Sequence, residues 1–331
     1  RGMSSFQSRS LSLVGESLPE GAGGLVQAAP GSWRFQLTSG SICSSLVVDA
    51  RLTADWLSFS AASGEIALAP PPGPESALEI LRWNAGLPGG ARFAAGPGAS
   101  ELSLRADIPA MDGLLERIDL RRHVAQICAG FREGAALFHR SSPCPAPAGT
   151  PSRDGAPGSL PALVKDSLTL AGWTLHERGP NHLAVDLDLP GVFHQALVES
   201  LAGGINVHAP LLDFERLPAA CVAALGRFLL LGCRALRMAR VAAVAGHNGT
   251  SLRIEAAVPD LADPLEVSGA LESVAAGCRV LLAEAKALED EAVARAFLAA
   301  HRGGRDPFVD RSTVVSVVSV GAEGPLSGPE R

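Results

Sequence analysis

The sequence predicts an α+β protein built of two similar modules. Each is a five-stranded antiparallel sheet flanked by helices (helix-β-β-β-helix-β-β-helix), and the two are arranged as a pseudo-dimer. Three observations carry this reading. The stretch 81–109, which opens Leu81-Arg82-Trp83 and closes on a strand-like run ending at Pro109, returns at 236–259 with Leu236-Arg237-Met238 and Pro259. At equal distance beyond each closing proline a cysteine stands on an apolar helical stripe, Cys128 and then Cys278. Between the copies, residues 141–158 are rich in proline and glycine and poor in apolar side chains, the composition of a semi-extended linker. A chain of 331 residues also exceeds one ordinary core. The expected organisation is a first module at 4–140, the linker at 141–158, a second module at 159–302 and a tail at 303–331.

In the first module, residues 4–18 form a weakly amphipathic leading helix. Trp33, Phe35 and Leu37 alternate with polar residues, as do Leu46, Val48 and Ala50, and 56–60 supplies a third strand of the meander. Pro70-Pro71-Pro72-Gly73-Pro74 stops the sheet, and a helix with Leu78 and Leu81 on its stripe follows. Strands near 91–95 and 101–108 form a hairpin. A closing helix over 114–138 carries Leu120, Val124, Ile127, Cys128, Phe131 and Ala135 at helical spacing.

The second module repeats the order. Residues 160–170 are its leading helix, Trp173 and Leu175 mark its first strand, and Leu183, Val185, Leu187 and Leu189 give the inward face of the second. The run 192–201 reads as a helical insertion and 205–210 as the third strand. A helix is expected over 217–244, apolar around its whole circumference and therefore buried on more than one side. A hairpin with an Asn-Gly turn follows, and Asp263-Pro264 starts the last helix. The surplus apolar surface of the 217–244 helix predicts packing between modules, with Leu78 and Leu81 against Leu225, Phe228 and Leu229. Within the tail, the β-branched run holding Val314, Val315, Val317 and Val318 is able to add a strand to a partner's sheet edge.

Composition bounds the function. The chain is 47% hydrophobic and 19% charged, with a net charge of −6, which argues against nucleic acid as a partner. The apolar run 217–236 is interrupted by Arg227 and Arg234 and is too short to cross a bilayer, so no membrane insertion is expected. Six scattered cysteines form no C-x-x-C pair and fit a reduced cytoplasmic setting. No phosphate-binding glycine loop, nucleophile elbow or zinc-helix motif is present, so neither a cofactor nor an enzyme activity is expected. His182, Asp186 and Asp188 project from one face of a strand and form the one ligand set worth weighing for a divalent metal. The polar face of a half-buried strand is the simpler account of them. Cys128 and Cys278 read as core thiols, and Arg82 and Arg237 as alkyl stems fringing an apolar face.

The segment Leu81-Arg82-Trp83-Asn84-Ala85-Gly86-Leu87-Pro88, then Arg92-Phe93, then 101–109, resembles the YbjN and type III secretion chaperone (CesT-like) superfamily, and the element order of both copies is similar to it. That resemblance implies a small non-catalytic α+β module that binds extended segments of other proteins, here fused as an internal pseudo-dimer. The expected function is a chaperone-like or adaptor protein whose partner is another protein. The alternative is a structural subunit docked through the C-terminal tail.

Overall fold

Alternation of large apolar and polar residues drives the strands, because one face of each must be buried while the other stays wet. The computed structural model describes residues 5–18, 26–38, 45–62, 74–95, 102–110, 113–139, 160, 162–201, 204–246, 249–259 and 263–301. The first half runs α1 (Ser5–Ser17), β1 (Val26–Ala29), β2 (Ser32–Thr38), β3 (Ser45–Leu52), β4 (Trp56–Ala62), α2 (Pro74–Gly86), β5 (Arg92–Ala95), β6 (Leu102–Pro109), α3 (Leu114–Arg117) and α4 (Leu120–His139). The second runs α5 (Ala162–Leu170), β7 (Leu175–Gly179), β8 (His182–Leu189), β9 (Val192–Leu201), β10 (Gly204–Phe214), α6 (Ala219–Ala235), β11 (Arg240–Gly246), β12 (Gly249–Pro259), α7 (Pro264–Ala287) and α8 (Glu291–Ala300).

Both sheets are antiparallel and six-stranded, ordered β1-β2-β3-β4-β6-β5 and β7-β8-β9-β10-β12-β11, the same topology twice. In each half the chain leaves the fourth strand, makes a helix, forms the far edge strand and returns between the two. Inward-facing Trp33, Phe35, Leu57, Phe59, Leu104 and Ile108 pack in one core with the stripe of α4, Val124, Ile127 and Phe131. In the second half Leu183, Val185, Val207 and Ile254 meet the stripe of α7, with Leu271, Val274, Cys278 and Leu281 at helical spacing. Each buried side chain of this size contributes about 1.5–3 kcal/mol of transfer free energy. α7 starts with a capping box, Asp263 accepting from the Leu265 N–H while Glu266 accepts from the Asp263 N–H.

The two-module α+β reading holds, with five differences in detail. Each sheet has six strands rather than five. In the first half the extra strand is β1, four residues long. In the second it is β9, which replaces the expected helical insertion at 192–201 and pairs with β8 and β10 along its length. The helix expected over 217–244 stops at Ala235, and residues from Arg240 onward are strand. At the break Met238 takes a left-handed backbone conformation (φ 57°). The closing helix of the first half is interrupted, giving α3 and α4, and in the second half a further helix, α8, follows α7. The two copies also align differently at their openings: Leu81 lies inside α2, whereas Leu236 caps the end of α6 and Arg237 lies in the loop beyond it. The linker at 141–158 and the tail at 303–331 lie outside the described residues.

The halves meet through α2, β5, α6 and β11. α2 packs on both α6 and β11, and α6 packs on β5. A Cβ at Gly226 of α6 would lie 2.6 Å from the Ala77 Cβ of α2, so glycine there permits the close approach. Because β5 and β11 are the inner edge strands, each sheet edge facing the junction is covered by a helix of the other half, which blunts an otherwise open pairing edge. Among the described residues no helix is long and apolar enough to cross a membrane.

Candidate functional site

The polar chemistry of the molecule is concentrated at this junction. An α-helix ends with carbonyls that have no intrahelical partner and carry partial negative charge. Here arginines satisfy them, a role suited to a planar fork of five N–H donors. Arg92, the first residue of β5, donates from Nε to the Cys233 carbonyl (2.9 Å) and from Nη2 to the Leu236 carbonyl (2.6 Å) at the end of α6. Arg240, the first residue of β11, donates from Nη2 to the Ala85 carbonyl in the last turn of α2 (3.5 Å) and from Nη1 to the carbonyls of Leu87 (2.6 Å) and Ala91 (2.9 Å) in the segment that follows it. Each arginine therefore belongs to one half and caps a helix end of the other.

Both are buried, Arg92 at 1% and Arg240 at 3% exposure, and each is neutralised by a carboxylate of its own hairpin. Arg92 Nη2 lies 2.6 Å from Asp107, and Arg240 Nε lies 2.8 Å from Glu255. Burial works against ionisation of Asp107, but Arg92 and Arg237 outweigh it and hold the carboxyl below its usual range. Glu255 is treated the same way by burial against Arg240 and Arg253. Arg237 donates to Asp107 (2.8 Å) and to Ser58 Oγ (3.0 Å), tying the loop after α6 to the first sheet. Asn84 of α2 bridges the Val241 carbonyl (3.0 Å) and the Phe93 backbone, accepting from its N–H at 2.7 Å. On the far side, His123 of α4 meets Glu266 of α7 at 2.7 Å, and Arg117 meets Asp263 at 2.7 Å.

Sequence reasoning missed this network. The available signal was an arginine opening the penultimate strand of each copy with a carboxylate fifteen residues on. Attention to Arg82 and Arg237 was misplaced in part: Arg82 is exposed, while Arg237 holds a carboxylate instead of fringing an apolar face. Of the residues expected to pack between modules, Leu81, Leu225 and Leu229 are buried and Leu78 half-buried on the α2 and α6 helices. The Phe228 ring stands edge-on to Phe297 of α8, within its own half. Val314, Val315, Val317 and Val318 lie outside the described residues.

His182, Asp186 and Asp188 do share one face of β8, yet four residues along a strand separate His182 from Asp186 by roughly 13 Å. Asp186 is instead taken by His176 (2.9 Å) and Gln195 (2.7 Å), which hold it below its ordinary range, and His182 faces Glu199 at 3.6 Å. Among the described residues no three His, Cys, Asp or Glu side chains are grouped to hold a metal. Burial pushes the Cys128 thiol up to about 11 and the Cys278 thiol up to about 12, values at which neither is a nucleophile at neutral pH.

Two further surfaces bear on binding. The open face of the second sheet holds a shallow cleft of about 360 Å³ lined by Arg178, Ala184, Gln195, Leu197, His208 and Arg253. At the outer edge, β7 pairs with β8 alone. The bond from Asp186 N–H to the Thr174 carbonyl (3.1 Å) fixes the alternation, so the N–H groups of Leu175 and Glu177 point away from the sheet. The Lys165–Glu177 pair (2.9 Å) ties α5 to this edge, and on a different face of the same helix Leu163 is exposed at 71% and Leu170 at 88%.

The chain matches no family model and no curated protein. Among solved structures, it was compared with the di-domain ARO/CYC StfQ from the steffimycin biosynthetic pathway. The two share 14% identity over 84% of this chain and 88% of that one, with a TM-score of 0.12. A superposition that poor carries neither fold nor chemistry across.

Proposed function

We propose that the chain is a non-catalytic, chaperone-like or adaptor protein that holds an extended segment of a partner protein. The observation that carries the reading is the β7 edge, which pairs on one side only and turns the N–H groups of Leu175 and Glu177 outward. An extended peptide recognised by strand addition draws its affinity from such main-chain donors on an open edge. The junction supports the reading from the other side. Cross-capping arginines hold the two sheets together as one internal pseudo-dimer, in keeping with the resemblance to the YbjN and type III secretion chaperone superfamily. Four buried, unpaired thiols (Cys128, Cys221, Cys233 and Cys278) favour a reducing compartment such as the cytoplasm.

The test is affinity purification from the native host with the wild-type chain and with Glu177→Pro. That substitution removes an outward donor while leaving the bonds to β8 in place. Recovery of exchangeable partners that falls by about tenfold or more in the variant supports strand addition. One partner at fixed ratio, insensitive to Glu177→Pro and lost on deletion of residues 303–331, would establish the alternative of a structural subunit docked through its tail.

A further inference from the structure

We infer that the outward face of the first sheet beside the junction, where β5 and β6 meet the end of α6, is a binding site for a phosphate-class dianion, with Arg105 and Arg237 as its accessible donors and the buried Arg92 as the third cation. Arg92 and Arg237 both bind the carboxylate of Asp107 there, and Arg105 stands within electrostatic reach of them. Arg105 is the cross-strand partner of Arg92 and shares its face of the sheet. Its hydrogen bond among the described residues goes to the neutral Ser103 Oγ (3.2 Å). Arg92 spends its Nε and Nη2 donors on two carbonyls and on Asp107, but its buried Nη1 has no partner among the described residues. A buried guanidinium nitrogen left without an acceptor is costly, and an anionic oxygen is the acceptor it binds most strongly.

The second half shows the closed form of the same arrangement. There the position cross-strand from the buried arginine holds Glu255, which takes Arg240 and Arg253 together. In the first half that position is Arg105, and the site is left charge-open. The resulting field is felt by Arg105 itself. Burial, then Arg92, Arg234 and Arg237, bring its pKa down to about 10, with Asp107 opposing in part. Approach is over Arg237 and Arg105, the first 45% exposed in its side chain and the second half-buried, while Arg92 itself is buried. A compact cluster of guanidiniums in an otherwise acidic protein suits a small dianion, not a polyanion that needs an extended basic surface.

Titration calorimetry of the full chain at low ionic strength tests the site, with inorganic phosphate, phenyl phosphate and acetate as probes. The expected result is saturable one-to-one binding of phosphate with a Kd below ~1 mM, weak or no binding of acetate, and at least ~10-fold loss in Arg105→Glu, which copies the second half. Arg237→Gln, altering a half-exposed side chain, weakens binding while leaving the Arg92–Asp107 bond in place, and it covers the case in which Arg105→Glu misfolds. Tighter binding of phenyl phosphate than of phosphate assigns the site to phosphate esters, and the reverse assigns it to the free ion. No saturable phosphate binding up to ~10 mM, or equal affinity in wild type and both variants, overturns the proposal.

Discussion

The two arginine clasps answer one structural demand with different charge arrangements. Both Arg92 and Arg240 cap carbonyls of the opposite half, and both are buried. In the second half the neutralising carboxylate, Glu255, sits directly across the hairpin and its second cation, Arg253, comes from the same strand. In the first half the carboxylate stands two residues further along the strand, at Asp107, and its second cation, Arg237, is lent by the other half. The invariant is the need of a buried helix end for donors. The position of the counter-charge is free to drift, so long as the arginine keeps one.

That comparison breaks most visibly at its closed side. Arg240→Met strips Glu255 of a buried partner and leaves the Leu87 and Ala91 carbonyls without donors, so urea unfolding is expected to show a loss of about 3–5 kcal/mol. Arg92→Met should cost less, about 2–4 kcal/mol, since Asp107 keeps Arg237 and the variant removes the Nη1 nitrogen that lacked a partner. Equal losses in the two would argue that the clasps are energetically equivalent despite their wiring. Gly226→Ala drives a methyl against Ala77 and is expected to cost about 1–3 kcal/mol, with the midpoint of denaturation as the readout. Arg105→Glu should instead gain about 1 kcal/mol in phosphate-free buffer, a figure already discounted for partial exposure.

The smallest expected effect is a pH dependence. Burial opposes protonation of His123, but the bond to Glu266 outweighs it and raises the pKa above its ordinary value. A raised pKa means the contribution is complete below the unfolded pKa of about 6.5 and fades as pH rises through the folded value. Stability should therefore drop slightly between pH 6 and 8, and His123→Gln should flatten that slope in thermal scans. Asp107 and Glu255 work in the opposite sense. Their lowered values mean a contribution present above about pH 4 that is lost on acidification.

Much of the fold was legible in local pattern. Trp33, Phe35 and Leu37 declare β2 by alternation, and Asp263-Pro264 with Glu266 declares the start of α7. The run 192–201 does not declare itself, because β9 exposes Phe193 and half-buries most of its other residues, blurring the period of two. The break between α6 and β11 is hidden for the opposite reason. Both elements are buried on nearly every side, and continuous apolar sequence has no period to read.

The sequence by itself determined the doubled α+β plan, the apolar stripes and the module order, all of which depend on neighbours in the chain. Only the tertiary structure decided which charges meet. Arg92 finds Cys233 and Leu236, and Arg240 finds Leu87 and Ala91, across about 140–155 positions, because two helix ends are brought against two inner sheet edges. Hydrogen bonds to backbone carbonyls leave no residue-type signature at the acceptor, so nothing in the order of amino acids marks those partners in advance.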